Sequence, residues 1–352
     1  PAGFRSIPLT PAQLKLDTVL RCGQSFLWHV YPLTASSATS TLSPPSSSID
    51  PSSSPTEPTH EYRLCLPDRL VCLRQSPSHL FYRAVFPPSS SSSSSNSLPE
   101  SEADSTLAWL TSYFQLPIDL PALYARWSST DPAFARLSSR PALAGIRVLR
   151  QDPWECLLSF ICSQNNHISR ITKLVHALPE EYSDVLVEHD HPLGGEQVAY
   201  RPFPGPEALA SPEVEPRLRE LGFGYRAKYI QGTAAALVAR ASGTKHTPRE
   251  WLGALRLLPL PEARAALLAL PGVGPKVADC VLLMSLDQPG VVPVDTHVLQ
   301  IAVRHYGLRA GKGKGMTPAL YAAIGERFAQ VWGEYAGWAQ GVVFAGDLRE
   351  FA

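Results

Sequence analysis

The 352-residue chain carries little charge: 18% of its residues are Asp, Glu, Lys or Arg, and 31 basic residues meet 31 acidic ones for a formal net charge of zero. Such a chain has no global attraction to polyanions or acidic membranes, so any contact with nucleic acid must come from cations gathered locally. Long apolar runs are missing too. None approaches the roughly 20 residues that cross a bilayer, and no charged-then-apolar stretch opens the chain, so neither a membrane span nor a secretory signal is expected. Cysteine is sparse and scattered: Cys22, Cys65, Cys72, Cys156, Cys162 and Cys280 form no Cys-x-x-Cys pair and have no His-x-x-x-His partner. That excludes a zinc module and an iron–sulfur cluster and points to reduced thiols inside a cell. No metal and no cofactor is expected. Proline, by contrast, is abundant, with 34 residues, about twice the usual share of roughly 5%. A coiled coil is thereby excluded, and long Pro-rich connections in a globular, soluble chain are implied.

Those connections are visible. Thr34 to Thr59 is almost wholly Ser, Thr, Pro and Ala, and Ser89 to Ser95 is an unbroken serine run in a stretch reaching about Ser105. Insertions at about 34–60 and 87–105 are therefore expected to be disordered. They interrupt short segments rich in aromatic or β-branched residues, Phe26–Tyr31, Tyr62–Leu66, Leu70–Arg74 and Leu80–Phe86. They read as a small antiparallel sheet with lengthened loops, tolerable because closure costs only about 0.6 kcal/mol per doubling of length. After Thr106 the texture turns helical, with Leu107, Leu110 and Phe114 on one face and Leu120, Leu123, Tyr124 and Trp127 on another. Asp152-Pro153-Trp154-Glu155 has the form of a capping box. Its helix breaks at Ser163–His167, whose backbone groups need solvent, side chains or a ligand to satisfy them.

Three features carry chemistry. Leu270-Pro271-Gly272-Val273-Gly274-Pro275 is a tight turn between helices. Its glycines leave backbone N–H groups open to a phosphate, although an ordinary helix corner would look the same. Lys276 follows in the first helical turn, where the macrodipole disfavours an ammonium ion, and a neutral amine is what attack on a sugar carbon requires. A solvated or phosphate-touching lysine fits that position equally. Cys280 shares the helical face of Lys276, as the lining of a pocket or equally as a buried structural thiol, and Asp295, 19 residues after Lys276, sits where it can cap the next helix or stabilise a cationic sugar. Around the polar break, Arg140, Arg147, Arg150, Arg170 and Lys173 outnumber Asp152 and Glu155, and Gly224-Tyr225-Arg226 sets an aromatic beside a guanidinium. That pairing suits wedging a duplex and reading an exposed base edge. The loop Ala310–Gly315, with Lys312 and Lys314, reads as a solvated linker.

Taken together, the residues from Leu270 to Cys280 followed by Val292-Pro293-Val294-Asp295-Thr296-His297 resemble the helix-hairpin-helix/Gly-Pro-Asp motif of DNA glycosylases in its lysine-containing form. Gly23–Phe26, Gln151–Cys156, Phe160–Asn166, Leu221–Ala227 and Trp332–Gln340 are similar to segments of the eukaryotic 8-oxoguanine DNA glycosylase/AP lyase family. The resemblance implies an α+β architecture: an N-terminal domain of antiparallel sheet plus helices over residues 1–150, then an all-α helix-hairpin-helix catalytic domain over 151–352. It implies a bifunctional base excision repair enzyme that flips 8-oxoguanine from duplex DNA, attacks the anomeric carbon with Lys276 and cleaves the strand by β-elimination from a Schiff base. Asp295 would stabilise the sugar cation, Gly23 would accept from N7–H through its carbonyl, Gln340 would read the Watson–Crick edge, and Cys280 and Phe344 would sandwich the base. Asn165 would fill the vacated stack, Tyr225 would wedge the helix, Arg170 and Arg226 would donate to the orphaned cytosine, and Gly272, Gly274 and His297 would hold phosphates. Relatives without strand cleavage lack the hairpin lysine, and the iron–sulfur branch needs C-terminal cysteines, of which there is none after Cys280. A silent DNA clamp would need neither Lys276, Asp295, Gln340 nor Phe344. The implied partner is duplex DNA with 8-oxoguanine opposite cytosine; a monomer without membrane attachment, resident in the nucleus with a mitochondrial pool and followed by later repair proteins, is expected. Pro275 ending the turn and His167 after the Asn pair depart from the family pattern.

Overall fold

The structure, a computed structural model, describes residues 3–33, 57–88, 100–309 and 316–348. Most of the two Ser/Pro-rich stretches and the 310–315 loop lie outside the described residues. Two compact units share the chain, one made of Pro1–Pro11, Trp28–Leu107 and Asp184–Pro202, the other of Ala12–Leu27, Ala108–Ser183 and Phe203–Ala352. Each unit draws on separated stretches of the chain.

In the first unit, β1 (Arg5–Pro8), β2 (His29–Pro32), β3 (His60–Cys65), β4 (Leu70–Gln75) and β5 (His79–Val85) form one antiparallel sheet in the order β1-β5-β4-β3-β2. In β5 burial alternates with period two, Leu80, Tyr82 and Ala84 facing inward. Central β4 is buried on both faces from Leu70 to Leu73, and a second hairpin explains why. β6 (Val187–Asp190) and β7 (Gln197–Tyr200) bring Val187 and Tyr200 against Leu70 and Cys72. Glu61, fully buried, pairs with Arg63 at 2.5 Å and with Arg74 at 2.5 Å, and Arg63 donates on to the carbonyl of Asp190 at 2.8 Å and to Tyr200 Oη at 2.9 Å. Three expectations are corrected here. The strand expected over Phe26–Tyr31 is His29–Pro32, because Phe26 itself belongs to the second unit, where its ring stands edge-on to Phe160 at 6.1 Å. The 151–352 half is not all-α. And helix begins at Glu100, inside the stretch expected to be disordered.

The helices run α1 (Leu16–Val19), α2 (Glu100–Tyr113), α3 (Leu120–Thr130), α4 (Pro132–Ser138), α5 (Pro153–Cys162), α6 (Ile168–Tyr182), α7 (Pro206–Leu209) and α8 (Val214–Glu220). They continue with α9 (Arg226–Ala241), α10 (Pro248–Ala254), α11 (Leu260–Leu268), α12 (Pro275–Ser285), α13 (Thr296–His305), α14 (Pro318–Trp332) and α15 (Ala336–Asp347). Helix α5 is the buried spine of the second unit: Cys156 to Cys162 are all buried, and it packs on α12, α6, α9 and α10. Asp152 caps it, accepting from the N–H groups of Trp154 and Glu155 at 3.0 Å each, while the reciprocal capping box forms at α10 between Thr247 and Glu250. A second cluster closes around buried Asp131, which accepts from Tyr306 Oη at 2.9 Å and Trp332 Nε1 at 3.0 Å among the rings of Trp127, Phe134 and Phe328.

Candidate active site

The turn between α11 and α12 is built for close approach. Gly272 has φ +74°, and a Cβ there would lie 2.4 Å from the side chain of Tyr229 on α9. Two hydrogen bonds fasten the turn, from Thr233 Oγ1 to the carbonyl of Pro271 and from Gln164 Nε2 to the carbonyl of Gly272, both 2.6 Å. Gly274 caps α12, and nothing lies within 4 Å of its Cβ position; open N–H groups in the first turn of a helix suit an anion. Pro275 occupies the first helical position, where a missing N–H costs nothing. A Gly272→Ala substitution must both enter the left-handed region and displace Tyr229, so chemical denaturation is expected to register a loss of about 2–4 kcal/mol.

Lys276, the second residue of α12, donates to Ser163 Oγ at 3.3 Å, and its Nζ lies over the Phe160 ring, 4.8 Å from the centroid. Ser163 Oγ spends its proton on the carbonyl of Phe160 at 2.8 Å, which leaves a lone pair to accept from Lys276 Nζ. One turn further, buried Cys280 also meets Lys276. Burial pushes its thiol up to about 11, against the pull of the Lys276 charge. Asp295 accepts from the N–H groups of His297 and Val298 at 3.0 Å each, as the cap of α13. On α15, Gln340 is 7% exposed and Phe344 follows one turn later. Gly23, at φ +85°, places its Cβ position 3.8 Å from Phe344 Cε1. Gly23, Lys276, Cys280, Asp295, Gln340 and Phe344 all line one cavity whose empty space, its open mouth included, is about 500 Å3. Phe160, Gln24, Met284 and Pro293 line it as well. None of them was singled out from the sequence, because each sits among apolar or turn residues that a core would use equally.

The rim is assembled from three separated segments. Asn165 is exposed and left-handed, with φ +45°. Beneath it, Arg226 donates to the carbonyl of Asn165 at 3.0 Å, twice to that of Gln164 and once to that of Phe223. Exposed Tyr225 donates to the same Gln164 carbonyl at 3.1 Å, and Arg226 lies 4.7 Å from its ring centroid. The polar break is thus satisfied by side chains of the α9 terminus. Arg226 itself is 4% exposed, its donors turned to the backbone and not to the surface. Arg170 is exposed and donates to the carbonyl of Gly222 at 3.2 Å. His167 caps α6, accepting from the N–H of Arg170. Exposed His297 stands 4.0 Å from Asp347 and edge-on to Phe344. Two members of the expected basic cluster are not on this rim. Arg147 is 1% exposed and donates to the carbonyls of Gln13, Gln115 and Ile118, and Arg150 is held by both oxygens of Asp287 at 2.6 and 2.7 Å.

Residues 6–157 match the family described as 8-oxoguanine DNA glycosylase, N-terminal domain, and residues 158–326 match the HhH-GPD superfamily of base excision DNA repair proteins. The chain is 45% identical over 239 residues to the N-glycosylase/DNA lyase OGG1 of Arabidopsis thaliana, covering 68% of this chain and 61% of that protein. It is 41% identical over 265 residues to the N-glycosylase/DNA lyase of Saccharomyces cerevisiae, covering 70% of this chain and 67% of the yeast protein. Among solved structures, MBOgg1 in complex with a low-affinity DNA ligand superposes with a TM-score of 0.71 at 25% identity, covering 98% of this chain and 96% of the other. The fold is also that of the Clostridium acetobutylicum 8-oxoguanine glycosylase/lyase, with a TM-score of 0.67 at 23% identity over 95% of this chain and 91% of that one. The chain belongs to the 8-oxoguanine DNA glycosylase family, within the helix-hairpin-helix superfamily of base excision repair proteins.

Proposed function

We propose that this chain excises 8-oxoguanine opposite cytosine from duplex DNA and then cleaves the strand at the abasic site. The observation that carries the reading is the convergence of Lys276, Asp295, Cys280, Gln340, Phe344 and Gly23 on one cavity. The lesion is turned out of the stack into that cavity. The Lys276 amine attacks C1′, the bond from C1′ to the base breaks, and the proton shed by the newly bonded nitrogen passes to the departing base. The sugar then opens to an imine on Nζ, loses a proton from C2′ and expels the 3′ phosphate. Asp295 stabilises the positive charge that grows on the sugar. Cys280, a protonated thiol at neutral pH because burial lifts it to about 11, is a polarisable wall against one face of the base and not a rival nucleophile. Phe344 takes the other face.

Discrimination rests on one hydrogen bond. Oxidised guanine carries N7–H, which the Gly23 carbonyl accepts; unmodified guanine offers a lone pair there, and two acceptors repel. Gln340 has both donors and acceptors for the Watson–Crick edge. Asn165 fills the gap, Tyr225 wedges the helix and Arg170 donates to the orphaned cytosine. Arg226 reaches that cytosine only by trading its bonds to residues 164 and 165, and otherwise acts through Asn165. The hairpin of Gly272 and Gly274, with His297, holds phosphates on the damaged strand. A monomer in the nucleus, with a mitochondrial pool, fits this role.

Borohydride trapping on duplexes with 8-oxoguanine opposite each of the four bases tests the reading. A covalent adduct favoured opposite cytosine is expected. Binding with no adduct would point to a silent clamp or to a glycosylase that uses water.

A further inference from the structure

We infer that Gln151, which does not line the cavity, is a positioning residue for the Gly23 carbonyl and so for lesion choice. The inference rests on the proposed excision reaction. Gln151 is 1% exposed and bridges two elements. Its backbone N–H donates to the carbonyl of Met284 at 2.8 Å, in the last turn of α12, and its side-chain Nε2 donates to the carbonyl of Gln24 at 3.0 Å. Gln24, 5% exposed, is fixed at its other end as well: Nε2 donates to the carbonyl of Arg147 at 2.8 Å, and Oε1 accepts from the N–H of Leu149 at 3.1 Å. The peptide that joins Gly23 to Gln24 bears the Gly23 oxygen, so with residue 24 held at its carbonyl and side chain that oxygen cannot swing freely. Gly23 alone supplies no such rigidity, since glycine is the residue with the widest backbone choice. Helix α12 begins one residue before Lys276. Through Gln151, the acceptor that tests N7 is therefore tied to the helix whose amine attacks C1′.

The test uses Gln151→Met in the full chain. Methionine keeps the length and approximate volume, and the Gln151 Oε1 it removes has no hydrogen-bond partner among the described residues. Release of 8-oxoguanine is expected to fall about tenfold, as a lost hydrogen bond and a displaced contact allow, and the preference over unmodified guanine to narrow. Strand cleavage at a pre-made abasic site, which presents no base to Gly23, is expected to stay within about twofold of wild type. Equal loss of both activities, or of neither, overturns the inference. Should Gln151→Met fail to melt cooperatively, Gln151→Glu replaces it, because a protonated acid can still donate to the Gln24 carbonyl and a carboxylate cannot. Its 8-oxoguanine release relative to wild type is then expected to rise between about pH 7.5 and about pH 5.5 while relative abasic-site cleavage stays level. A flat release ratio overturns the inference. A wild-type protein that performs neither reaction refutes the proposed function instead.

Discussion

A Lys276→Gln protein is expected to bind 8-oxoguanine duplex about as well as wild type, to give no borohydride adduct, and to excise more slowly by a factor on the order of 10⁴ or more, the scale of losing a nucleophile. Glutamine is nearly as long as lysine and keeps an N–H for Ser163 Oγ, so the cavity is not expected to collapse. What disappears is the nucleophile and the charge over Phe160. Cys280 cannot substitute, being deeply buried and protonated at neutral pH. The measurement is single-turnover excision, with gel-shift titration on the same duplex for binding. Excision at full rate without an adduct would mean that water, and not Lys276, displaces the base. Loss of binding in step with excision would make Lys276 a phosphate contact.

How much of this was legible depended on how far apart the interacting residues lie. Lys276 in a first turn and Asp295 as a cap follow from local rules, and the structure has both there. The grouping of Gly23 with Phe344 in one cavity is not local; only the likeness to a family put residues so distant on one list. Arg147 shows the limit. It reads as a surface cation, yet its guanidinium is buried by the carbonyls of Gln13, Gln115 and Ile118, which no window around position 147 contains. Burial makes that arginine structural, since removing it would take a charged donor away from three carbonyls. The same reasoning covers the β6–β7 hairpin, fastened by Arg63 more than 100 residues earlier in the chain. Gln151 was quoted only as part of a motif, because its partners, Gln24 and Met284, lie on either side of it at long range.

Asp295 offers the second large effect, and one that separates two roles of a single carboxylate. Its Oδ1 accepts from two N–H groups at the start of α13, a task asparagine performs about as well. Asp295→Asn is therefore expected to change stability by less than about 0.5 kcal/mol, while Asp295→Ala costs about 1 kcal/mol, the usual value of a cap. Excision should not follow that order. A sugar that becomes cationic in a partly enclosed cavity is stabilised by a full negative charge, and an amide dipole supplies a fraction of it, so both variants are expected to lose on the order of 10²-fold or more in single-turnover base release. Cleavage at a pre-made abasic site, where no glycosidic bond has to break, is expected to lose less. Thermal melts and the two rates, measured on all three proteins, decide the matter. If Asp295→Asn excises like wild type and only Asp295→Ala fails, the carboxylate is a helix cap and the cationic sugar is stabilised by other groups in the cavity.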